Sequence, residues 1–171
     1  MPIHVFVDEN KVRGLLMAAA CCPSGDVAVA RKTLRGLLLA GQERLHFNHE
    51  KPARRKKIIE VIAGLHLMVD LYKADADTHA DRRRCLEAIV RDNATSAERL
   101  VVEMEESTCE HGRRWLREAA RRFGCHETLR WDVLVAKSDP LLWVPDAVAW
   151  SWMRGGAWKR AVAPFCQLKE L

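Results

Sequence analysis

Runs of β-forming residues alternate along this chain with segments whose apolar residues recur at helical spacing. "LHLMVDLYK" (65–73) alternates in the manner of a strand. The segment that follows it, 80–94, places Cys85, Leu86, Ile89 and Val90 on one helical face. Strands separated by helices of 10–15 residues are typical of a sheet covered by helices. This alternation therefore predicts an α/β fold with a central β-sheet flanked by helices.

The order of the remaining segments makes the predicted sheet mixed. The first two strands are joined by a short turn, so they form an antiparallel hairpin beside strands that follow helices. The predicted strands cover 3–8, 13–22, 44–47, 65–73, 99–105 and 128–135. The predicted helices cover 26–40, 51–64, 80–94, 109–123 and 140–155. No linker rich in Gly, Ser or Pro divides the 171 residues, so we expect one domain over 1–171.

The composition excludes several classes of protein. The chain is 49% hydrophobic and 30% charged, and no window approaches the ~18–20 apolar residues of a membrane span. The N-terminus has no basic flank before an apolar run, so we expect no signal peptide and a cytoplasmic location. The six cysteines lack the spacing of a zinc ribbon. The glycine-rich phosphate-binding motifs and the serine nucleophile motif are also absent from the sequence.

Acidic residues stand at the ends of several predicted strands. "IHVFVDEN" ends in Asp8 and Glu9, Asp70 lies near the end of 65–73, and Glu103 and Glu105 end 99–105. Ligands of open α/β sheets bind at the carboxyl ends of the strands, so these carboxylates are candidates for a site. Two structural explanations remain open: a polar hairpin tip for Asp8 and Glu9, and an ordinary solvated strand face for the others.

Asp146 is a second anomaly, because it lies in the otherwise apolar "LLWVPDAVAWSW". A buried carboxylate is costly unless it is paired or bound to a cation, and a helix cap or an arginine partner would also explain it. Carboxylates that converge from separate elements suit Mg²⁺ or Mn²⁺, which prefer oxygen ligands. Two such ions can clamp a phosphodiester and activate water.

"RLHFNHEKPARRKK" combines two histidines, a glutamate and a cationic run. His46 and Glu50 could face a common site, with His46 or His49 moving protons or holding a phosphate. The run 51–57 holds five cations in seven residues, and the net charge is +5. Such a run is either a solvated helix face or a ridge that contacts a nucleic-acid backbone. The predicted backbone contacts are Lys51, Arg54 and Arg55.

Four of the six tryptophans fall within 143–158. Aromatic side chains dominate buried surfaces, so this Trp-rich region is expected in the core or at a contact with a second copy or a partner protein. Stacking on nucleic-acid bases is the functional alternative.

Three motifs together resemble an uncharacterised bacterial family of the ribonuclease-H-like superfamily. They are the first-strand "VDEN", the middle "LHFNHEKPARRKK" and the late "PLLWVPDAVAW". Members of that family typically have Asp-Glu-Ser after the first strand and an Ala-Asp pair in a late helix. Asn10 replaces the serine and Pro145 replaces the alanine, and both departures leave the carboxylates in place.

The resemblance implies a ribonuclease-H-like fold and an acidic, metal-dependent nuclease site that uses Mg²⁺ or Mn²⁺. Asp8 and Glu9 match the first-strand motif and Asp146 matches the late-helix acid. Intervening positions of the family could correspond to Glu50, Asp70 or Glu103. The expected function is hydrolysis of phosphodiester bonds in RNA or DNA, with Asp8, Glu103 and Asp146 as metal ligands. The alternatives are a non-catalytic module that binds nucleic acid or a protein partner, and a toxin or defence effector released by a partner.

Overall fold

A mixed sheet with helices against both faces forms the centre of the computed structural model, which describes residues 1–104 and 109–171. The strands are β1 (Ile3–Asn10), β2 (Leu15–Pro23), β3 (Met68–Ala74), β4 (Ala97–Glu103), β5 (Arg130–Leu134) and β6 (Cys166–Lys169). The helices are α1 (Val27–Arg35), α2 (Pro52–Gly64), α3 (His79–Asn93), α4 (Cys109–Arg122), α5 (Trp143–Arg154) and α6 (Gly156–Val162). The predicted fold class, a mixed α/β sheet flanked by helices, is confirmed.

The order of the strands places β1 inside the sheet. The order is β5-β4-β1-β2-β3-β6. β2 pairs antiparallel with both β1 and β3, whereas β4 runs parallel to β1 and to β5, and β6 runs parallel to β3. Since β1 and β4 are parallel neighbours, the carboxyl ends of these two strands meet at the same edge of the sheet.

The period-2 alternation of the strands separates two hydrophobic cores. Phe6 and Leu16 point to the face covered by α1, α2 and α5, where the core includes Ile58. Val5 and Val7 point to the opposite face, which is covered by α3 and α4. Because successive side chains of a strand face opposite sides, Asp8 lies on the α5 face of β1 and Glu9 on the α3 face.

One predicted strand is wrong. Residues 44–47 do not join the sheet, and Phe47–His49 form a 3-10 turn instead. Leu45 and Phe47 are buried in the core under α5 while Arg44 and His46 are only partly buried. This alternation resembles a strand in the sequence, but it arises from a loop whose apolar side chains anchor it to the helices.

The ends of the chain's elements also differ from the prediction. The helix predicted over 26–40 ends at Arg35, and α5 begins only at Trp143, after a 3-10 turn at Pro140–Leu142. The short strand β6 was not predicted. It has four residues and lies at the sheet edge beside β3, so its sequence carries little of the alternation that identifies longer strands.

Within the described residues, none of the helices combines the length and the apolar character needed to cross a membrane.

Gly14 in the turn between β1 and β2 provides a test of the hairpin. Its φ is +81°, and a Cβ there would lie 2.7 Å from the carbonyl oxygens of Ala74 and Asp75. We expect Gly14→Ala to lower the free energy of unfolding by about 1–3 kcal/mol, because the backbone would be strained and would have to move. Gly25→Ala is the control, since a Cβ at Gly25 meets nothing within 4 Å. Equal urea midpoints for the two variants would contradict this account.

Candidate active site

Carboxylates from three elements line a single pocket of about 210 Å³ at the carboxyl end of β1. Asp8 comes from β1, Glu103 from β4 and Asp146 from α5. Basic and imidazole side chains complete the wall. The full lining is Asp8, Glu9, Lys11, Arg44, His46, Glu103 and Asp146. The structure therefore brings together five of the six predicted catalytic residues, the exception being Glu50.

The backbone explains why these three acids meet. Val7 of β1 lies opposite Val102 of β4 in the parallel ladder, so Asp8 and Glu103 are the next residues on neighbouring strands. α5 packs directly against β1 and β2. Asp146 lies in the first turn of α5, on the same side of the sheet as Asp8.

Asp8 is a buried carboxylate whose charge has little compensation. Only 8% of the residue is exposed, and the backbone N–H of Glu9 donates to its Oδ1 at 2.7 Å. Burial raises the pKa of Asp8 well above its usual range, and the negative charges of Asp146 and Glu103 raise it further. The hydrogen bond from the Glu9 N–H lowers the pKa and does not offset these effects.

Asp146 holds the loop of residues 40–50 against α5. The backbone N–H of Phe47 donates to Asp146 Oδ2 at 3.2 Å, and an Arg44 guanidinium nitrogen lies 3.9 Å from the same oxygen. Burial raises the pKa of Asp146 in spite of both contacts. The carboxylate thus has a structural partner on one side and faces the acidic pocket on the other.

Glu9 differs from Asp8 in that its charge is neutralised. Arg82 of α3 donates to both of its carboxylate oxygens, at 2.7 and 2.8 Å, and Lys11 lies 3.3 Å away. Arg82 also pairs with Asp77 at 2.8 Å. A two-pronged arginine contact of this kind fixes geometry as well as charge. Glu9 therefore ties the end of β1 to α3.

His46 lines the pocket and stacks on His49, with ring centroids 3.9 Å apart and planes 10° apart. Burial lowers the pKa of His46, and the positive charge of Arg44 lowers it further. Its Nδ1 is buried and lacks a hydrogen-bond partner in the part of the chain that the structure describes. A neutral imidazole can accept a proton at the ring nitrogen that carries no hydrogen.

The predicted ridge at the start of α2 has other contacts. Glu50 accepts a hydrogen bond from Gln42 at 3.0 Å and lies 3.7 Å from Arg54, outside the acidic pocket. Arg54 donates to the carbonyl of Leu37 at 2.6 Å. Glu50 is therefore buried because it joins the loop of residues 40–50 to the start of α2.

Arg55 likewise donates to backbone, at 3.0 Å to the carbonyl of Phe47 and at 2.7 Å to that of Asn48. Its guanidinium also lies over the Trp150 ring at 4.4 Å. Lys51 is exposed ahead of α2. Contacts of Lys51, Arg54 and Arg55 with nucleic acid stay a prediction, and for the two arginines the structure gives a role in the protein itself.

Asp70, another acid considered from the sequence, does not line the pocket. Asp70 lies on β3, two strands from β1, and faces Lys169 of β6 at 4.0 Å. Glu105 lies outside the described residues. In turn, the structure adds Lys11 and Arg44, which the sequence did not single out. Neither belongs to a recognisable motif, and only the folded chain shows that both line the pocket with the carboxylates.

The donor chemistry of the pocket fits a divalent cation. Carboxylate oxygens are the ligands that Mg²⁺ and Mn²⁺ prefer, and a positive ion would offset both the burial of the Asp8 charge and the repulsion from Asp146 and Glu103 that raise its pKa. Among the described residues, no three Asp, Glu, His or Cys side chains already converge as closely as a finished metal site requires. Mg²⁺ usually keeps several waters, and a cavity of about 210 Å³ has room for them.

We expect Asp8→Asn to stabilise the metal-free protein. The raised pKa of Asp8 means that its carboxyl costs folding free energy at neutral pH, and this cost falls as the pH drops through the folded-state pKa and is gone below the ordinary pKa of an aspartate. In EDTA at pH 7, the variant should exceed wild type by about 1–3 kcal/mol, the usual scale for an uncompensated buried polar group. The difference should shrink as the pH falls. Urea denaturation at several pH values measures it, and a variant that is less stable than wild type at pH 7 would contradict the account.

The chain matches no protein-family model and no curated protein. Among solved structures it is similar to a chain of the complex between PCNA and RNase HII from Archaeoglobus fulgidus. The TM-score is 0.61 and the sequence identity 19%, over 95% of this chain and 76% of that chain. The likeness at this low identity concerns the fold, which is ribonuclease-H-like. The resemblance to one bacterial family within the superfamily stays a prediction.

Proposed function

We propose that the pocket at the end of β1 hydrolyses phosphodiester bonds of RNA or DNA with the help of Mg²⁺ or Mn²⁺. The supporting observation is the burial of Asp8 between Asp146 and Glu103, where the carboxylates repel one another. Buried like charges are unfavourable for stability, and strongly perturbed carboxylates in a cleft are typical of functional sites. The ribonuclease-H-like fold supports a nuclease in general terms.

Each side chain of the pocket has a role in this proposal. Asp8, Glu103 and Asp146 would hold the metal, whose bound form supplies an activated water and neutralises charge on the phosphate. Glu9 would act indirectly, because its contact with Arg82 orients the end of β1. His46, kept neutral by its lowered pKa, would accept a proton. Lys11 and Arg44 would attract the phosphate backbone.

Nucleic acid is the proposed partner, and the net charge of +5 agrees with it. The similar archaeal protein was solved as RNase HII in complex with PCNA. For this chain, a protein partner or a second copy at the Trp-rich region stays a proposal, as does the cytoplasmic location that we expect from the sequence.

We expect Asp8→Asn and Asp146→Asn each to lower nuclease activity in Mg²⁺ or Mn²⁺ by about 100-fold or more. Loss of groups that merely support metal ligands already costs about 10–100-fold. Wild type should bind Mn²⁺ in calorimetry with a micromolar dissociation constant, and both variants should lose this binding. The assay uses labelled single-stranded and double-stranded RNA and DNA.

Asp132→Asn is the matched control. Asp132 is a half-exposed carboxylate of β5 that pairs with Arg99 at 3.3 Å and does not line the pocket. This variant should bind Mn²⁺ and cleave like wild type. If wild type binds no Mn²⁺, or if Asp8→Asn binds it equally well, the nuclease proposal is wrong. The alternative, a non-catalytic module that binds nucleic acid or protein, would then be favoured.

A further inference from the structure

A second cavity, of about 410 Å³, lies at the end of the hairpin strands beside the acidic pocket. Its walls combine an aromatic ring, two arginines and two asparagine side chains. They come from the hairpin turn (Asn10, Arg13), the 3-10 turn (Asn48) and α5 (Trp150, Arg154). We infer that this cavity holds a nucleotide of a single-stranded nucleic acid, next to the nucleotide at the acidic pocket. The inference rests on the proposed function and names its substrate class more closely.

The helix α5 connects the two cavities. Asp146, Trp150 and Arg154 are spaced four residues apart, so they follow one another along one face of α5. Asp146 lines the acidic pocket, whereas Trp150 and Arg154 line the second cavity. At 1.5 Å per residue, each step along the helix is about 6 Å, which is close to the spacing of successive nucleotides in an extended strand. A strand lying along this face would place one nucleotide in each cavity.

The other walls of the two cavities are also neighbours. Asn10 follows Asp8 by two residues on β1, and Asn48 follows His46 by two residues in the loop. Phe47, between the histidine and the asparagine, is the residue whose N–H binds Asp146. The same backbone segments therefore border both cavities.

Trp150 is held in a fixed orientation. Its Nε1 donates to Asn48 Oδ1 at 3.1 Å, and its ring meets those of Phe47 and Trp158 edge to face at 5.2 and 5.5 Å. The Arg55 guanidinium lies over it at 4.4 Å. A ring that is already immobilised loses little entropy when a base stacks on it. Base–aromatic stacking is the usual way to bind single strands without regard to sequence.

Arg13 and Arg154 are exposed and have no ion-pair partner among residues 1–104 and 109–171. They contrast with Arg82, whose guanidinium is paired with two carboxylates. The two guanidinium groups can bind the phosphate of a nucleotide. The aromatic ring beside them can stack on the base of the same nucleotide. The asparagine side chains add hydrogen-bonding groups.

Binding of a fluorescein-labelled 12-nucleotide single strand, measured by anisotropy in EDTA, tests the inference without requiring catalysis. We expect Arg13→Ala and Arg154→Ala each to weaken binding about threefold or more and to reduce the slope of log K against log[salt] by about one. Trp150→Leu should weaken binding about tenfold, and Trp150→Phe should recover most of it. A duplex of the same sequence should be insensitive to the Trp150 variants, because its bases are already stacked.

Arg121→Ala is the control, since Arg121 is an exposed arginine of α4 on the other face of the sheet. It should bind like wild type. The inference is overturned if wild type does not bind the single strand, if both arginine variants bind like wild type, or if Arg121→Ala weakens binding equally. If Trp150→Leu fails to fold, the binding of Arg13→Ala and Arg154→Ala still tests the inference.

The two proposals can fail separately. If binding in EDTA depends on Arg13 and Arg154 but no cleavage occurs in Mn²⁺, the nucleotide cavity is supported and the nuclease proposal is wrong. If cleavage needs Asp8 but Arg13→Ala and Arg154→Ala have the same KM as wild type, the nuclease proposal is supported and the nucleotide cavity is wrong.

Discussion

The burial of Asp8 beside the partly buried carboxylates of Asp146 and Glu103, which repel it, is the constraint on which the site depends. Asp8 is nearly inaccessible to solvent, and its neighbours Asp146 and Glu103 carry the same charge. Such an arrangement opposes folding, so the surrounding structure must be stable without it. Two separate hydrophobic cores, one on each face of the sheet, supply that stability.

The acids of this edge differ in how far the described residues around them compensate their charge. Arg82 donates to both carboxylate oxygens of Glu9. Glu50 accepts a hydrogen bond from Gln42 and forms an ion pair with Arg54. Among residues 1–104 and 109–171, Asp8 receives one hydrogen bond, from the backbone N–H of Glu9. Acids with partners hold strands, helices and loops together, whereas the acid with the least compensation lies where a cation would be most favourable.

The loop of residues 40–50 gives the site its shape. It buries Leu45 and Phe47 in the core and thereby presents Arg44 and His46 to the pocket. The Phe47 N–H holds Asp146, and the Phe47 carbonyl is held by Arg55. The cationic start of α2, which resembles a nucleic-acid contact in the sequence, thus contributes to the stability of this loop. The cavity next to it is lined by two exposed arginines, Arg13 and Arg154.

The sequence by itself determined the α/β class and the mixed sheet, and it singled out Asp8 and Asp146 as carboxylates in apolar surroundings. These features depend on local periodicity and on the cost of a carboxylate in an apolar segment, both of which are visible in a short window. Only the tertiary structure decided that 44–47 is not a strand, that β6 completes the sheet edge, and that Glu50 lies outside the pocket while Lys11 and Arg44 lie inside it. These outcomes depend on which backbone and side-chain partners meet across long stretches of chain, and no local pattern specifies a partner that is distant in sequence.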